Sequence, residues 1–373
     1  MKPTPFKTQI QLTRPMVPDY NLLQKKLSVI WKNRWLTNMG PLHNEFEEAL
    51  KSYLGAKDLL VFQNGTIALL LGLNALDLKG QVITTPFTFP ATINAITWNN
   101  LEPVFCDILP GTFNIDPAKI EAAITPETSA ILAVHMFGTL CDTEALTGIA
   151  KKHNLKLIYD AAHCIGLGSN KTLLDAGDIT MFSLHATKLF HTVEGGALIF
   201  KDALLKQKLS QLRNFGIKDG EEVSYSGLNG KLNEFQAAIG LCLLGEIGNE
   251  KRRRQQVRVN YREAFRNSEH VQYDLPANTN DSLQYYVIGI KSSAKSTRDE
   301  IFLRLKDYNL ITRKYFTPLA HKYKFLPQHA AKSFPVAEQY SAQLLALPFY
   351  GSLDFKTVGK IAELVTLASE AKL

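Results

Sequence analysis

The chain has 373 residues, of which 45% are hydrophobic and 21% charged, so it can bury a large core and disorder is excluded. No stretch approaches the roughly 20 apolar residues of a membrane span, and the polar, proline-broken N-terminus lacks the apolar segment of a signal peptide. We therefore expect a cytoplasmic protein.

The net charge of +7 admits a nucleic-acid partner, but the dense basic run is short, covering residues 251–254 with Arg258 beyond it. This run lies in a polar stretch compatible with a helix, which predicts a solvated helix face and no nucleic-acid partner. The cysteines lie far apart without metal-ligand spacing, which predicts reduced core residues and no metal site. They are Cys106, Cys141, Cys164 and Cys242.

Short apolar runs alternate with amphipathic stretches from about residue 57 to residue 200. This alternation predicts an α/β fold, in which helices cover a parallel sheet. Apolar residues at helical spacing predict helices around residues 46–54 and 146–150. The predicted strands are residues 81–84, 103–107, 130–135, 155–159, 179–183 and 197–200.

The pattern changes beyond about residue 249 to a charged helical stretch, a strand at 285–290 and helices to the C-terminus. We therefore predict a large domain, residues 1–248 with an N-terminal arm, and a small domain, residues 249–373. In open α/β sheets, ligands bind beyond the carboxyl ends of the strands. Polar residues that directly follow the predicted strands are therefore the first candidates for a site.

Two polar residues follow strands in this way. Asp160 comes directly after the strand at 155–159, and alone it could equally be a helix N-cap. The strand at 179–183 leads through Ser183 to Lys188, in a polar loop that ends in a glycine pair. A lysine amine beside a hydroxyl group at the same sheet edge favours Schiff-base chemistry.

The order Asp160, Ser183, Lys188 resembles that of a known family, the DegT/StrS-type sugar aminotransferases. The resemblance covers most of the chain, and its strongest segments are NGTIAL (64–69), TPFTFPAT (85–92), DAAH (160–163) and residues 183–196. It implies an enzyme of fold type I (aspartate aminotransferase-like) that depends on pyridoxal 5'-phosphate (PLP). It also implies a large domain with a mainly parallel central sheet and a smaller α+β C-terminal domain.

The resemblance implies a role for each matched residue. Lys188 would carry the cofactor covalently and then move protons as base and acid. Asp160 would hold the cofactor's pyridine nitrogen protonated. Phe89 would stack on the ring and His163 would approach the ring hydroxyl, although a buried Phe at position 89 could equally belong to the core.

The cofactor phosphate would bind Ser183 and the segment Gly65-Thr66. Both of the latter residues precede a helix-like stretch, where free amides make a phosphate site. An ordinary turn and cap is the alternative for this segment.

Four further residues are matched less closely. In this family the segment 227–234 reaches across a dimer interface to the partner's phosphate, so Asn229 and Lys231 are candidate contacts in a homodimer. A surface loop is the alternative for each. The segment 315–321 resembles a substrate-side loop, which makes Tyr315 and His321 candidate substrate contacts.

Three classes of function remain. The first is transamination of a nucleotide-linked keto sugar, with pyridoxamine 5'-phosphate (PMP) formed during turnover. The second is a cofactor-dependent sugar dehydratase, in which histidine replaces the lysine, so Lys188 counts against it. The third is a non-catalytic relative with the same fold, which the retained Lys188, Asp160 and Ser183 disfavour.

Within the transaminases, segments 35–41 and 185–190 look most like those of enzymes that aminate C4 of dTDP-4-keto-6-deoxyglucose. The alternative is amination at C3 of the 3-keto isomer. The resemblance implies glutamate as the amino donor. It also implies a product used for a surface polysaccharide such as O-antigen.

Overall fold

The computed structural model describes residues 3–276 and 281–373. Its strands confirm an α/β fold. They are β1 (Asp58–Phe62), β2 (Gln81–Thr84), β3 (Glu102–Phe105), β4 (Thr128–Val134), β5 (Lys156–Asp160), β6 (Ile179–Ser183), β7 (Gly196–Phe200), β8 (Ile217–Lys218), β9 (Glu222–Val223), β10 (Val271–Leu275), β11 (Tyr286–Ile290) and β12 (Leu344–Leu347).

Helices cover and connect these strands. They are α1 (Tyr20–Asn33), α2 (Pro41–Leu54), α3 (Gly65–Ala75), α4 (Pro90–Thr97), α5 (Pro117–Ile120), α6 (Thr143–Lys152), α7 (Lys171–Asp175), α8 (Ala203–Leu212), α9 (Glu234–Leu244), α10 (Ile247–Phe265), α11 (Arg298–Asp307), α12 (Pro335–Gln343) and α13 (Phe355–Ser369). Single 3₁₀ turns lie at Glu121–Ala123, Met136–Gly138, Ile165–Leu167, Ala320–Lys322 and Pro327–His329.

The central sheet has seven strands in the order β1-β7-β6-β5-β4-β2-β3. Strand β7 runs antiparallel to both of its neighbours, and the remaining neighbouring pairs are parallel. The prediction of a mainly parallel central sheet is therefore confirmed. Because β6 and β7 are antiparallel neighbours, the segment that joins them stays at the carboxyl end of β6 and does not cross a face of the sheet.

Hydrophobic clusters cover both faces of the sheet, as the alternation of side chains along β1 illustrates. Leu59 and Val61 pack into the cluster that includes α2 and α9, whereas Leu60 and Phe62 pack into the cluster that includes α3. Successive side chains of a strand point to opposite faces, so an apolar run of this kind fills both layers. The sheet is buried on both faces, and ligands can reach it from its ends.

The predicted strands of the central sheet were all found, with ends shifted by at most two residues. Strand β1 was not predicted. The prediction that only helices follow the strand at 285–290 is wrong, because β12 pairs antiparallel with β11. Strand β10 pairs with the other edge of β11 and was also missed. β12 is a run of only four residues, and so short an apolar run does not distinguish strand from helix.

The N-terminal segment packs on residues far along the chain. Ile10 forms a parallel bridge with Leu310, and the carbonyl group of Leu12 accepts a hydrogen bond from the amide of Phe349 over 3.0 Å. The proposed arm of the large domain thus contacts residues assigned to the small domain. The division between residues 248 and 249 stays a prediction, and α10 already begins at Ile247.

The basic run on α10 is not a fully solvated face, so that prediction is wrong for two of its arginines. Arg254 and Arg258 are buried. Arg254 forms an ion pair with Glu250 over 2.7 Å, and Arg258 pairs with Asp274 over 2.8 Å and also with Asp281. Buried charges of this kind require partners, and the carboxylates lie on both the same helix and later segments.

The four cysteines are free and buried, which confirms that they belong to the core. Among the described residues, no helix is both long enough and apolar enough to cross a membrane.

Candidate active site

A cavity opens at the carboxyl ends of the parallel strands. Asp160 is the last residue of β5 and Ser183 the last of β6, and the side chains of both line the cavity. Lys188 lies on the loop between β6 and β7 and lines it as well. The topology therefore brings the three predicted residues together, because the carboxyl ends of neighbouring parallel strands lie side by side.

Asp160 is held from two sides at the buried end of the cavity, with 4% of its surface exposed. Its Oδ2 atom accepts a hydrogen bond from the hydroxyl group of Thr92 over 2.8 Å, and its Oδ1 atom accepts one from the amide of Ala162 over 3.0 Å. Burial raises the pKa of Asp160, and these two hydrogen bonds, together with the positive charge of Lys188, oppose the rise. The next helical turn begins only at Ile165, so Asp160 does not cap a helix.

Lys188 lies on a loop closed by backbone hydrogen bonds. The amide of Ala186 donates to the carbonyl group of Val193 over 2.7 Å, and the amide of Leu184 donates to that of Gly195 over 2.8 Å. Burial lowers the pKa of Lys188, and the charge of Arg313 also lowers it. A lowered pKa increases the fraction of Lys188 that is a neutral amine, which is the nucleophilic form.

The N-terminus of α3 faces the same cavity. Asn64 caps the helix, because its side chain accepts a hydrogen bond from the amide of Ile67 over 2.8 Å. The amides of Gly65 and Thr66 precede the first amide that can bond within the helix. A Cβ atom on Gly65 would lie 3.2 Å from the Cβ atom of Ser183, so glycine lets the helix end approach this hydroxyl residue closely. The segment is thus both a capped helix start and part of the cavity wall.

His163 and Phe89 also line the cavity. His163 is buried, and its Nδ1 atom has no hydrogen-bond partner among the described residues. Burial lowers the pKa of His163 well below its ordinary value, and Lys188 adds to this effect. Phe89 is 48% exposed, so the alternative that it belongs to the core is wrong.

One wall of the cavity is aromatic and cationic and comes from the C-terminal part of the chain, and only Tyr315 of this wall was predicted. Tyr315, a predicted substrate contact, lines the cavity together with Tyr285 and Arg313. The guanidinium group of Arg313 lies 5.1 Å from the ring of Tyr315 and 5.9 Å from that of Phe89. Arg313 belongs to no recognisable sequence motif, so the sequence did not indicate that it is a site residue.

A polar pair at the cavity wall was also missed. His185 and Glu194 both line the cavity, and Nε2 of His185 lies 3.3 Å from Oε1 of Glu194. Nδ1 of His185 lies 2.8 Å from the hydroxyl of Thr187. Both residues belong to the segment 183–196 that carried the family resemblance, but they were not singled out.

Three predicted contacts do not line this cavity. Asn229 is exposed, and its backbone pairs with Asn214. The amine of Lys231 donates a hydrogen bond to the side chain of the same Asn214 over 2.7 Å, so it already has a partner within the chain. His321 is fully buried against Phe334, at a ring distance of 4.8 Å, and is therefore not brought to the site.

The residues present fit PLP. Asp160 is a buried carboxylate whose hydrogen-bond donors are both neutral, and a protonated pyridine nitrogen would supply the positive charge that such a group requires. The free Nδ1 atom of His163 would meet the ring hydroxyl. The open amides of Gly65 and Thr66 with Ser183 offer donors for a phosphate. This sheet and these side chains define the class of PLP-dependent fold type I aminotransferases.

A family model described as the DegT/DnrJ/EryC1/StrS aminotransferase family matches residues 20–366. The chain belongs to this family. The dTDP-4-amino-4,6-dideoxy-D-glucose transaminase of Escherichia coli is 40% identical over 362 residues, which cover 95% of this chain and 98% of that protein. The dTDP-3-amino-3,6-dideoxy-alpha-D-galactopyranose transaminase of Aneurinibacillus thermoaerophilus is 32% identical over 350 residues, covering 92% of this chain and 94% of the relative.

Solved structures agree with this assignment. DesI, solved in the presence of its TDP-sugar product, superposes with a TM-score of 0.92 and 32% identity, covering 99% of this chain and 95% of DesI. NtdA of Bacillus subtilis, solved with bound PMP, gives a TM-score of 0.86 and 27% identity, covering 98% of this chain and 88% of NtdA. The predictions of fold class, family, aminotransferase activity and PLP as cofactor are confirmed.

Proposed function

We propose that this aminotransferase converts dTDP-4-keto-6-deoxyglucose into dTDP-4-amino-4,6-dideoxyglucose, with glutamate as the amino donor. The observation that carries the proposal is the meeting of Lys188 and Asp160 in one cavity. The relative in Escherichia coli, at 40% identity over nearly the whole chain, supports the C4 position. A product destined for a surface polysaccharide and a cytoplasmic location stay predictions.

Lys188 and Asp160 would have different roles in the reaction. PLP, when bound, supplies a reactive carbonyl carbon and a ring that takes up electrons. Lys188 would hold the cofactor and then, as a neutral amine of lowered pKa, accept and return the proton on the reacting carbon. Asp160, which accepts hydrogen bonds from Thr92 and Ala162, would stabilise positive charge at the buried end of the cavity.

Arg313 would bind an anionic group of a substrate. Glutamate carries carboxylates and a nucleotide-linked sugar carries phosphates, so both substrates present anions to the cavity. The guanidinium group of Arg313 lies against two aromatic rings at the wall of the cavity, and a guanidinium group pairs well with a carboxylate or a phosphate. Tyr315 and Tyr285 would shape the same wall.

A homodimer with shared active sites follows from the segment 227–234. Asn229 is exposed and does not line the cavity of its own chain, which supports a contact to the partner's cofactor phosphate. Lys231 is less suited to that role because its amine is engaged by Asn214 over 2.7 Å. In a two-fold dimer both sites would be completed by the same contact.

Amination at C3 is the second candidate. The relative in Aneurinibacillus thermoaerophilus, at 32% identity over 350 residues, supports it. The dehydratase alternative is disfavoured by Lys188, because a lysine rather than a histidine stands at the cofactor-bearing position.

One experiment separates the C4 and C3 candidates. The enzyme is incubated with glutamate and either dTDP-4-keto-6-deoxyglucose or its 3-keto isomer, and the products are identified by NMR. We expect a 4-amino sugar and 2-oxoglutarate from the first. Moving the carbonyl by one carbon displaces it by more than an ångström, and a displacement of about 1 Å can cost about 10²-fold in rate. A preference for the 3-keto isomer would overturn the C4 proposal and leave transamination intact.

A further inference from the structure

Gln284 contacts the loop of Lys188 on both sides of the lysine. Gln284 stands two residues before β11, and its side chain is buried, with 1% of the residue exposed. Its Oε1 atom accepts a hydrogen bond from the amide of Leu189 over 2.7 Å, and its Nε2 atom donates one to the carbonyl group of Thr187 over 3.0 Å. A single side-chain amide thus binds the backbone directly before and directly after Lys188.

The position of Gln284 is itself fixed from α10. The guanidinium group of Arg254 donates hydrogen bonds to the carbonyl groups of Leu283, over 3.1 Å, and of Gln284, over 3.4 Å. Arg254 is in turn bound by Glu250 over 2.7 Å, and both are buried. A buried chain of contacts therefore runs from α10 to the backbone around Lys188.

The chemistry of glutamine suits this contact. A primary amide presents a donor and an acceptor in one plane, so one side chain satisfies a backbone carbonyl group and a backbone amide together. The backbone bonds of the loop itself include that from the amide of Lys188 to the carbonyl group of His185 over 2.8 Å and that from the amide of Ala186 to the carbonyl group of Val193 over 2.7 Å. Gln284 adds a contact at Leu189, the residue directly after the lysine.

We propose that Gln284 is a positioning residue that holds the backbone of Lys188 so that the lysine amine reaches the reacting carbon. This inference rests on the proposed role of Lys188. The amine lies at the end of a side chain that starts from the Cα atom of Lys188, so a shift of this backbone shifts the region that the amine can reach. Reacting groups must be held to within about 0.5 Å of the productive geometry by residues that are themselves locked. Gln284, fixed by Arg254, meets that condition.

The test compares Gln284→Met with a matched control. Methionine preserves the length of the side chain and removes both hydrogen bonds to the loop. The control is Tyr261→Phe, which removes the buried bond from the Tyr261 hydroxyl to the carbonyl of Pro348, 2.9 Å long, and touches no residue of the loop. Both variants are prepared with PLP, and their unfolding in urea is measured alongside their activity.

We expect Gln284→Met to lower kcat by about 10- to 100-fold with little change in KM for the keto sugar, as for a displaced catalytic group. The pH titration of the visible band of the lysine-bound cofactor should shift as well. Tyr261→Phe should lose stability but retain the wild-type spectrum and kcat. Gln284→Asn retains an amide but shortens the side chain by one methylene group, so it cannot reach both Thr187 and Leu189 and its kcat should fall as well.

A wild-type spectrum and kcat in Gln284→Met, with only a loss of stability, would overturn the proposal. If Gln284→Met does not fold, the same comparison is made with Gln284→Asn, and a wild-type spectrum and kcat there overturn it equally. Lys188→Ala, measured in parallel, distinguishes a failure of the role proposed for Gln284 from a failure of the role proposed for Lys188. A lysine-linked cofactor in Lys188→Ala would refute the proposed role of Lys188. Loss of the link in Lys188→Ala beside an unaffected Gln284→Met would refute only the role of Gln284.

Discussion

The hydroxyl group of Thr92, on α4, donates a hydrogen bond of 2.8 Å to Oδ2 of Asp160, the last residue of β5. The bond favours the ionised carboxylate and so opposes the rise in pKa that burial imposes on Asp160. A residue of the segment 85–92 to which the sequence assigned no role thus helps to set the charge of Asp160.

Thr92→Val should raise the pKa of Asp160 further and therefore move the acid limb of kcat/KM to higher pH, since activity requires the ionised form and is lost as pH falls through that pKa. At neutral pH, kcat/KM should fall by about tenfold, because a hydrogen bond to a charged group contributes about 1.5 kcal/mol or more. The pH profile with glutamate measures both effects. Thr97→Val, on the same helix but bonded only to backbone carbonyl groups, is the control. An acid limb that stays in place would refute the role of Thr92.

Lys188→Ala should abolish the visible absorption of the lysine-bound cofactor, because no other amine is assigned to that position. Absorption spectra of the purified protein with added PLP measure this directly. Lys201→Ala, an exposed lysine after β7, should retain the wild-type spectrum. A lysine-linked chromophore that persists in Lys188→Ala would show that the assignment is wrong.

Asp160→Asn preserves size and removes the charge that would keep the ring nitrogen protonated. Cofactor binding should survive while turnover falls by about 10²-fold or more, as expected for a group that acts in the transition state. Equilibrium binding of PLP and steady-state kinetics separate the two quantities. Unchanged turnover would remove Asp160 from the catalytic machinery.

Arg313→Leu should raise KM for an anionic substrate by about tenfold or more, with a smaller effect on kcat, because a charge-assisted contact to a carboxylate or phosphate is lost. The half-reaction with glutamate alone shows whether the carboxylate is the anion, and the half-reaction with the keto sugar tests the phosphate. Arg266→Leu removes the same charge from an exposed site beyond α10 and should leave both KM values unchanged. Equal KM values in Arg313→Leu and wild type would contradict the proposed contact.

Glu250→Leu should lower the free energy of unfolding by about 3–5 kcal/mol, because it leaves the buried guanidinium group of Arg254 without its carboxylate partner. Removing Glu246 from an exposed pair with Arg253, at 3.8 Å, should cost less than about 1 kcal/mol. Urea unfolding of Glu250→Leu and Glu246→Ala gives both values. Equal losses would show that the buried pair contributes no more than the exposed one.

Six of the seven strands of the central sheet, and the residues at their carboxyl ends, could be predicted because their signals are local. Asp160 and Ser183 each end a short apolar run, and Lys188 follows within a few residues. Arg313, Tyr285 and Gln284 could not be predicted in this way. Tyr285 and Arg313 reach the cavity, and Gln284 reaches the loop of Lys188, only through the packing of the C-terminal part of the chain, which no spacing in the sequence encodes.

The basic run of α10 shows the same limit. Its composition indicates solvent exposure, yet Arg254 and Arg258 are buried because carboxylates meet them, Glu250 from the same helix and Asp274 from β10. A charge pattern on one helix says nothing about partners that tertiary packing supplies. Strand β12 was missed for a related reason, since it is identified only by its pairing with β11.

The contact of the N-terminal segment with residues far along the chain bears on how the protein is synthesised. Ile10 pairs with Leu310, and Leu12 bonds to Phe349, so residues 10–12 are made long before the residues that they contact. Contacts of such sequence separation slow folding. The amine of Lys360, on α13, likewise donates a hydrogen bond to the carbonyl group of Pro5 over 3.3 Å. During translation this early segment therefore lacks these partners until residues 310–360 have been made.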